Sequence, residues 1–297
     1  MPPAAVLMLS VFVLAACAGR GAPAPAPAAG ESAHWDGMSR AHAGHTPAAN
    51  AGAHPPRKEV AVRDVEYVVN GRRVKGYEAR PAGVAEDAPL PAVIVVHEWW
   101  GLNENIRMMT RRLAGEGFRA LALDMYHGRV AETPEEARAL VDVVAADPDR
   151  GLGHLRSAAA YLRQQAGAAR IGVIGWCFGG GWALQGALEL PERIDAAVMY
   201  YGRLELERRR LALLETPLLG LFGAEDQGIP VDLVRQMDSI LRQLSKDATI
   251  LVYPGAGHGF ANPSGEAYQP EPADDAWRRT IAFFDRHLRQ PGPATGD

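Results

Sequence analysis

Apolar runs of strand length recur along this chain, with helix-length segments between them. Ala92–Val96, Ala196–Tyr200 and Leu218–Phe222 are such runs, and Phe118–Leu123, Arg170–Ile174 and Thr249–Val252 read as further strands among them. A strand that is apolar throughout, rather than at alternate positions, is buried on both faces. That requires a mainly parallel sheet with helices on either side. The intervening segments supply them: Asn103–Glu116, a helix opening at Thr133, Asp149–Gln165, Gly180–Leu190, Val231–Leu244 and Asp274–Leu288. Thr133-Pro134-Glu135-Glu136 places an N-cap Thr before Pro at the first helical position and Glu at the third. Ahead of the first run, Val60–Val69 and Arg72–Ala79 flank Asn70-Gly71, the strongest short hairpin signal. The expected fold is therefore α/β: a doubly wound, mainly parallel sheet with an antiparallel N-terminal hairpin, in one domain over 58–289.

The ends have a different texture. Val6–Ala16 is an apolar run too short to span a bilayer as a helix. It closes on Leu14-Ala15-Ala16-Cys17, small residues before a cysteine. The segment resembles a bacterial lipoprotein signal over 1–16, with Cys17 as the lipidated residue. No Lys or Arg precedes the run, so the usual basic start is absent. The expectation is export with a lipid anchor in the cell envelope, the outer membrane being preferred because Ala18 follows the cysteine. Residues 17–57 are rich in Ala, Pro and Gly and read as a flexible tether. His34, His42, His45 and His54 fall in it, loosely spaced and without a Cys or carboxylate cluster, as in a solvated linker. Residues 290–297 read as a disordered tail.

The second and last cysteine, Cys177, is the centre of the chemistry. It stands in Gly175-Trp176-Cys177-Phe178-Gly179-Gly180, between a strand and a helix. This is the Gly-x-Ser-x-Gly nucleophile elbow with sulfur in place of oxygen. Lipidation of Cys17 would leave Cys177 as a single reactive thiol. In a parallel sheet, sites form at the carboxyl ends of the strands. Glu98, Trp99 and Trp100 follow the first apolar strand, Tyr126 and Arg129 the next, and Asp226 and His258 the last two. The order nucleophile, acid, histidine is that of the α/β-hydrolase arrangement. Cys177 would attack an acyl carbon, His258 would carry the proton, and Asp226 would orient the imidazole. The backbone N–H groups of Trp99 and Phe178 would form the oxyanion hole. A lone cysteine after a strand is commonly an inert core residue, but the glycine-rich turn argues otherwise here. Glu225 adjoins Asp226, and spacing favours the latter. His97 reads as a support of its loop, and Tyr126 and Arg129 either line a pocket or cap the sheet.

His97-Glu98-Trp99-Trp100-Gly101-Leu102-Asn103, Gly-Trp-Cys-Phe-Gly-Gly, Asp226 and Gly257-His258-Gly259-Phe260 together resemble the dienelactone hydrolase family, over roughly Val60 to Leu288. The resemblance implies a Cys-His-Asp triad on an α/β-hydrolase fold, with no metal or organic cofactor. It also implies that Glu98 meets the resting thiol and helps form thiolate once substrate binds. Members of the type use an arginine shortly after the histidine to hold a substrate carboxylate. Asn262 stands there instead, leaving Arg129 or Arg138 as the remaining clamp candidates. Trp100, Tyr126, Arg129, Phe260 and Asn262 are the expected substrate-side residues.

The expected activity is hydrolysis of small esters or lactones through a thioester. A second reading is a non-hydrolytic binding or thiol-sensing protein on the same scaffold. A peptidase or acyltransferase is a third, without any added peptide-binding domain to support it. A net charge of −4 and the lack of a basic stripe speak against a nucleic-acid partner. Membrane contact would come only through the anchor.

Overall fold

The computed structural model describes residues 54–289. Among them, strands β1 (Val60–Val69), β2 (Arg72–Pro81), β3 (Ala92–Val96), β4 (Arg119–Leu123), β5 (Ile171–Trp176), β6 (Ala196–Tyr200), β7 (Leu218–Gly223) and β8 (Ala248–Tyr253) form one sheet. The order across it is β1-β2-β4-β3-β5-β6-β7-β8. β1 pairs β2 and β2 pairs β4 antiparallel, while every pairing from β4 to β8 is parallel. The helices are α1 (Glu104–Gly115), α2 (Pro134–Ala145), α3 (Pro148–Ala166), α4 (Phe178–Glu189), α5 (Arg208–Leu211), α6 (Val231–Gln243) and α7 (Pro270–Leu288).

The sequence explains both kinds of strand. β1 buries Val65, Tyr67 and Val69 and exposes Asp64, Glu66 and Val68, a period of two suited to an edge hairpin. Asn70 and Gly71 both take positive φ, at 48° and 78°, as a two-residue hairpin turn requires. β3, β4, β5 and β6 are buried throughout. Successive residues of β5 face opposite layers. A side chain at Gly172 would strike Phe284 and Leu288 of α7, whereas Val173 faces Gly186 of α4 and its neighbour Leu155 of α3. The sheet is thus covered on both sides, as continuous apolar strands demand.

The strand order reverses direction at the centre. From β3 the chain moves outward to β4, then returns to β5 on the other side of β3 and proceeds outward again. That switch point opens a crevice at the carboxyl ends of β3 and β5. The residues delivered there are the Glu98-Trp99 loop and Cys177.

Two elements differ from expectation. α7 begins at Pro270 rather than Asp274, because a proline at the first helical position loses no hydrogen bond. α5 has only four residues, too few for a hydrophobic period to register. Thr133 caps α2 as expected, its hydroxyl accepting from the Glu136 N–H at 3.3 Å.

The segment read as a leader, Cys17, most of the segment read as a tether, and residues 290–297 lie outside the described residues. His54 to Arg57, read from sequence as the end of the tether, lie against the domain. His54 Nε2 is 2.8 Å from the Tyr268 hydroxyl, and Pro56 and Arg57 press on Gly115 of α1. No helix among the described residues is long and apolar enough to cross a membrane.

Candidate active site

Cys177 occupies the turn between β5 and α4 with φ 54° and ψ −115°. A side-chain-bearing residue in that region is strained by about 1–3 kcal/mol. The surroundings hold it there. Its N–H donates to the Tyr200 carbonyl at 3.0 Å, and its carbonyl accepts from Gly181 N–H at 3.2 Å. The flanking glycines are a steric requirement: a Cβ at Gly175 would collide with the Gly179 carbonyl, and one at Gly179 with the Val96 and His97 carbonyls. The elbow therefore packs backbone to backbone against the end of β3. Phe178 begins α4, so its N–H is among the helix-terminal donors without an intrahelical partner.

His258 and Asp226 arrive from the loops after β8 and β7. Both are buried. His258 Nδ1–H donates to Asp226 Oδ2 at 2.7 Å. The other carboxylate oxygen, Oδ1, accepts from Gly228 and Ile229 N–H, each at 2.8 Å. Asp226 is thus fixed by its own loop and in turn fixes the imidazole. Burial pulls the His258 pKa down, but the Asp226 carboxylate and the Cys177 sulfur outweigh it and raise it to about 10, the sulfur acting by charge and by a hydrogen bond. The shift favours the imidazolium form of His258.

Glu98 follows β3 and is 5% exposed. The resemblance implies that its carboxylate meets the resting thiol. One carboxylate oxygen accepts a hydrogen bond from Asn262 Nδ2 at 2.6 Å, across 164 positions of sequence. Asn262 Oδ1 meanwhile accepts from Ser264 N–H at 2.8 Å. Asn262, expected to face substrate, is therefore the residue that holds Glu98. Burial raises the Glu98 pKa to about 7, against the opposing pull of His258 and Asn262.

That shift has a measurable sign. Glu98 ionises near 4.5 in the unfolded chain and near 7 in the fold. The stability it contributes is complete below about pH 4.5 and is lost as the pH rises through about 7. Wild type should lose stability relative to Glu98→Gln across that window, as read by urea unfolding at successive pH values. A pH-independent difference would contradict the raised pKa.

His97 supports the same loop from beneath. Its Nδ1–H donates to the Glu98 carbonyl at 2.6 Å and its Nε2 accepts from Met125 N–H at 3.2 Å, which fixes the neutral tautomer. Gly101 N–H also donates to the Glu98 carbonyl, at 3.2 Å. In a trans peptide the C=O and the following N–H point opposite ways. Pinning the Glu98 carbonyl therefore sets the direction of the Trp99 N–H.

A cavity of about 280 Å³ opens beside Cys177. Val141 and Ala145 of α2, Pro148 and Leu152 of α3, and Phe178, Gly181, Trp182 and Gln185 of α4 line it with Arg203. Sequence gives little sign of most of these, because they belong to helices whose apolar residues look like core. Arg203 is the cation in this cavity. Arg129 lines a separate cavity, and Arg138 pairs with Asp142 at 2.9 Å. Phe260 is fully buried against Tyr201 and Tyr253 and does not line the Cys177 cavity. Trp100 packs on Trp99 with ring centroids 5.0 Å apart. Tyr126 is buried between His97 and Phe178, at 4.6 and 5.6 Å between rings.

Tyr201 is a neighbour of the site that the sequence motifs do not mark. It comes directly after β6 with φ 34°, and its ring stands edge-on to His258 at 4.9 Å. Its place at the carboxyl end of a central strand is the signal that could have found it. Among the described residues, no group of three or more His, Cys, Asp or Glu side chains is gathered to hold a metal ion.

The fold and the nucleophile elbow define an α/β-hydrolase. The family model for the dienelactone hydrolase family matches residues 74–288, and the chain belongs to that family. It is 32% identical over 231 residues to Protein usf of Aquifex pyrophilus, covering 75% of this chain and 98% of the relative. It is 34% identical over 230 residues to a candidate carboxymethylenebutenolidase of Escherichia coli K12, covering 73% and 84%. Among solved structures, a candidate dienelactone hydrolase from Klebsiella pneumoniae superposes with a TM-score of 0.70 at 33% identity. That match covers 77% of this chain and all of the other.

Proposed function

We propose that this protein hydrolyses small esters or lactones through a thioester formed on Cys177. The observation that carries the reading is a thiol in a strained elbow, coupled to the buried His258–Asp226 pair, at the mouth of a mostly apolar cavity. The names of the carboxymethylenebutenolidase relatives point to lactones as one substrate class.

The thiolate attacks the acyl carbon, and the carbonyl electrons move onto oxygen. The N–H groups of Phe178 and Trp99 receive that negative charge, each worth ~10²–10³ in rate if they behave as oxyanion donors elsewhere do. The tetrahedral intermediate collapses, breaking the C–O bond as imidazolium His258 gives its proton to the leaving alkoxide. Neutral His258 then takes a proton from water, whose hydroxide attacks the thioester. Collapse releases the carboxylic acid and returns the thiolate–imidazolium pair. Before the first turnover Glu98, titrating near neutrality beside His258, takes up the proton of the Cys177 thiol, which leaves the thiolate that attacks. Cavity residues Val141, Ala145, Leu152 and Trp182 favour a short apolar acyl group, with Gln185 and Arg203 at its polar side.

Turnover of a panel of p-nitrophenyl esters of increasing acyl length, with a simple lactone beside them, tests this reading. The shortest acyl groups should turn over best. No turnover across the panel, together with reversible oxidation of Cys177, would favour the thiol-sensing alternative.

A further inference from the structure

The carboxyl rim carries a second cavity, of about 300 Å³, on the other side of α2. Leu140, Val143 and Val144 of α2 line it, whereas Val141 and Ala145 line the Cys177 cavity. Arg72, His127, Arg129 and Arg150 surround it, with Met125 and Tyr126 among the other lining residues. They come from three segments: the start of β2, the loop after β4, and the first turn of α3. β2 runs antiparallel to β4, with Gly76 opposite Leu123, so Arg72 projects past the carboxyl end of β4. This is the edge where α/β sheets bind their ligands.

The charge here is one-sided. Among the described residues, no acidic side chain lines the cavity. Elsewhere on the domain arginines meet carboxylates, as in Arg107–Asp64 at 3.0 Å, Arg111–Glu104 at 2.6 Å and Arg210–Glu205 at 3.0 Å. Arg72 and Arg129 make no such side-chain pair among the described residues, and the Arg150 guanidinium contacts the imidazole of His127. Asp124 is the carboxylate that acts on His127, but it is buried. Its oxygens accept from the N–H groups of Tyr126 and Gly128. His127 has φ 54° and Gly128 φ 87°, in the turn after β4. Like charges gathered without a counter-charge repel one another, and an anion seated among them removes that repulsion.

We propose that this cavity is a binding site, separate from the Cys177 cavity, for a phosphate-bearing molecule. The planar guanidinium forks of three arginines on one cavity match the several oxygens of a tetrahedral phosphate better than a planar carboxylate, which one fork satisfies. Met125, Leu140 and Val144 offer an apolar wall to the organic part of a phosphate ester. The phosphate has two sources to distinguish, a soluble ester and a phospholipid headgroup. The site does not depend on the hydrolytic reading.

Calorimetric titration of the full chain with inorganic phosphate and with glycerol phosphate, at low ionic strength, tests the first source. Co-sedimentation with phosphatidylglycerol vesicles against phosphatidylcholine vesicles tests the second. Saturable binding in either arm, weakened about tenfold in each of Arg72→Gln and Arg150→Gln, is the expected result. Unchanged thermal midpoints in those variants would show that the fold is intact. Binding in the vesicle arm alone assigns the headgroup; binding in the soluble arm assigns the ester. No binding in either arm, or affinity unchanged in both variants, overturns the site.

Discussion

Cys177→Ala is expected to lower turnover of p-nitrophenyl acetate by about 10⁴-fold or more, the scale on which removing a triad nucleophile acts. The substitution deletes one sulfur and keeps Cβ, so the strained backbone at φ 54° is left as it was. The thermal midpoint should therefore move little while activity collapses. His258 should also lose the sulfur that helps raise its pKa. Equal activity in the variant and the wild type would remove Cys177 from the chemistry.

Asp226→Asn should cost nearly as much, about 10⁴-fold, for a reason of geometry. Asp226 Oδ1 accepts two backbone N–H groups, from Gly228 and Ile229. An asparagine keeps those bonds only by placing its carbonyl oxygen there, which turns its NH₂ toward His258. Nδ1 of the imidazole must then accept, and Nε2 carries the proton. That tautomer leaves Nε2 unable to accept the proton of the attacking water, and with Nδ1 acting as acceptor the imidazolium is no longer stabilised. Loss of turnover with an unchanged fold, measured by steady-state assay beside thermal unfolding, is the expected outcome. Near wild-type turnover would assign the orienting role to another carboxylate.

The sheet was legible because most of its central strands are buried on both faces as apolar runs; Arg119 at the start of β4 is buried with them by pairing with Glu78 at 3.0 Å. Val93 to Val96 and Ala196 to Tyr200 carry that signal without interruption. The hairpin was legible for a different reason: few residues besides Asn-Gly accept two consecutive positive φ angles. The start of α7 was obscured by Pro270 and Pro272, which resemble loop residues until the first helical turn is seen to tolerate them.

The positions of Cys177, Asp226, His258 and Glu98 followed from one topological rule, that loops at the carboxyl ends of parallel strands converge. The partners of those residues did not follow. Asn262 reads as a substrate contact until its amide is found on Glu98. Trp182 and Val141 have the spacing of core residues, and only the packing of α2 against α3 and α4 turns them toward a cavity. Arg129 and Arg138 read as clamp candidates, yet Arg203 is the arginine that lines the Cys177 cavity, because packing decides on which side of α2 each loop falls.

The central claim is that the acyl group passes through the Cys177 sulfur. Mixing the protein with p-nitrophenyl acetate, quenching in acid during turnover and mapping the peptides by mass spectrometry measures this directly. One acetyl group on the peptide containing Cys177, labile to hydroxylamine and absent in Cys177→Ala, is the predicted result. Sustained turnover with Cys177 unmodified, or with the acetyl group on another residue, would contradict the account.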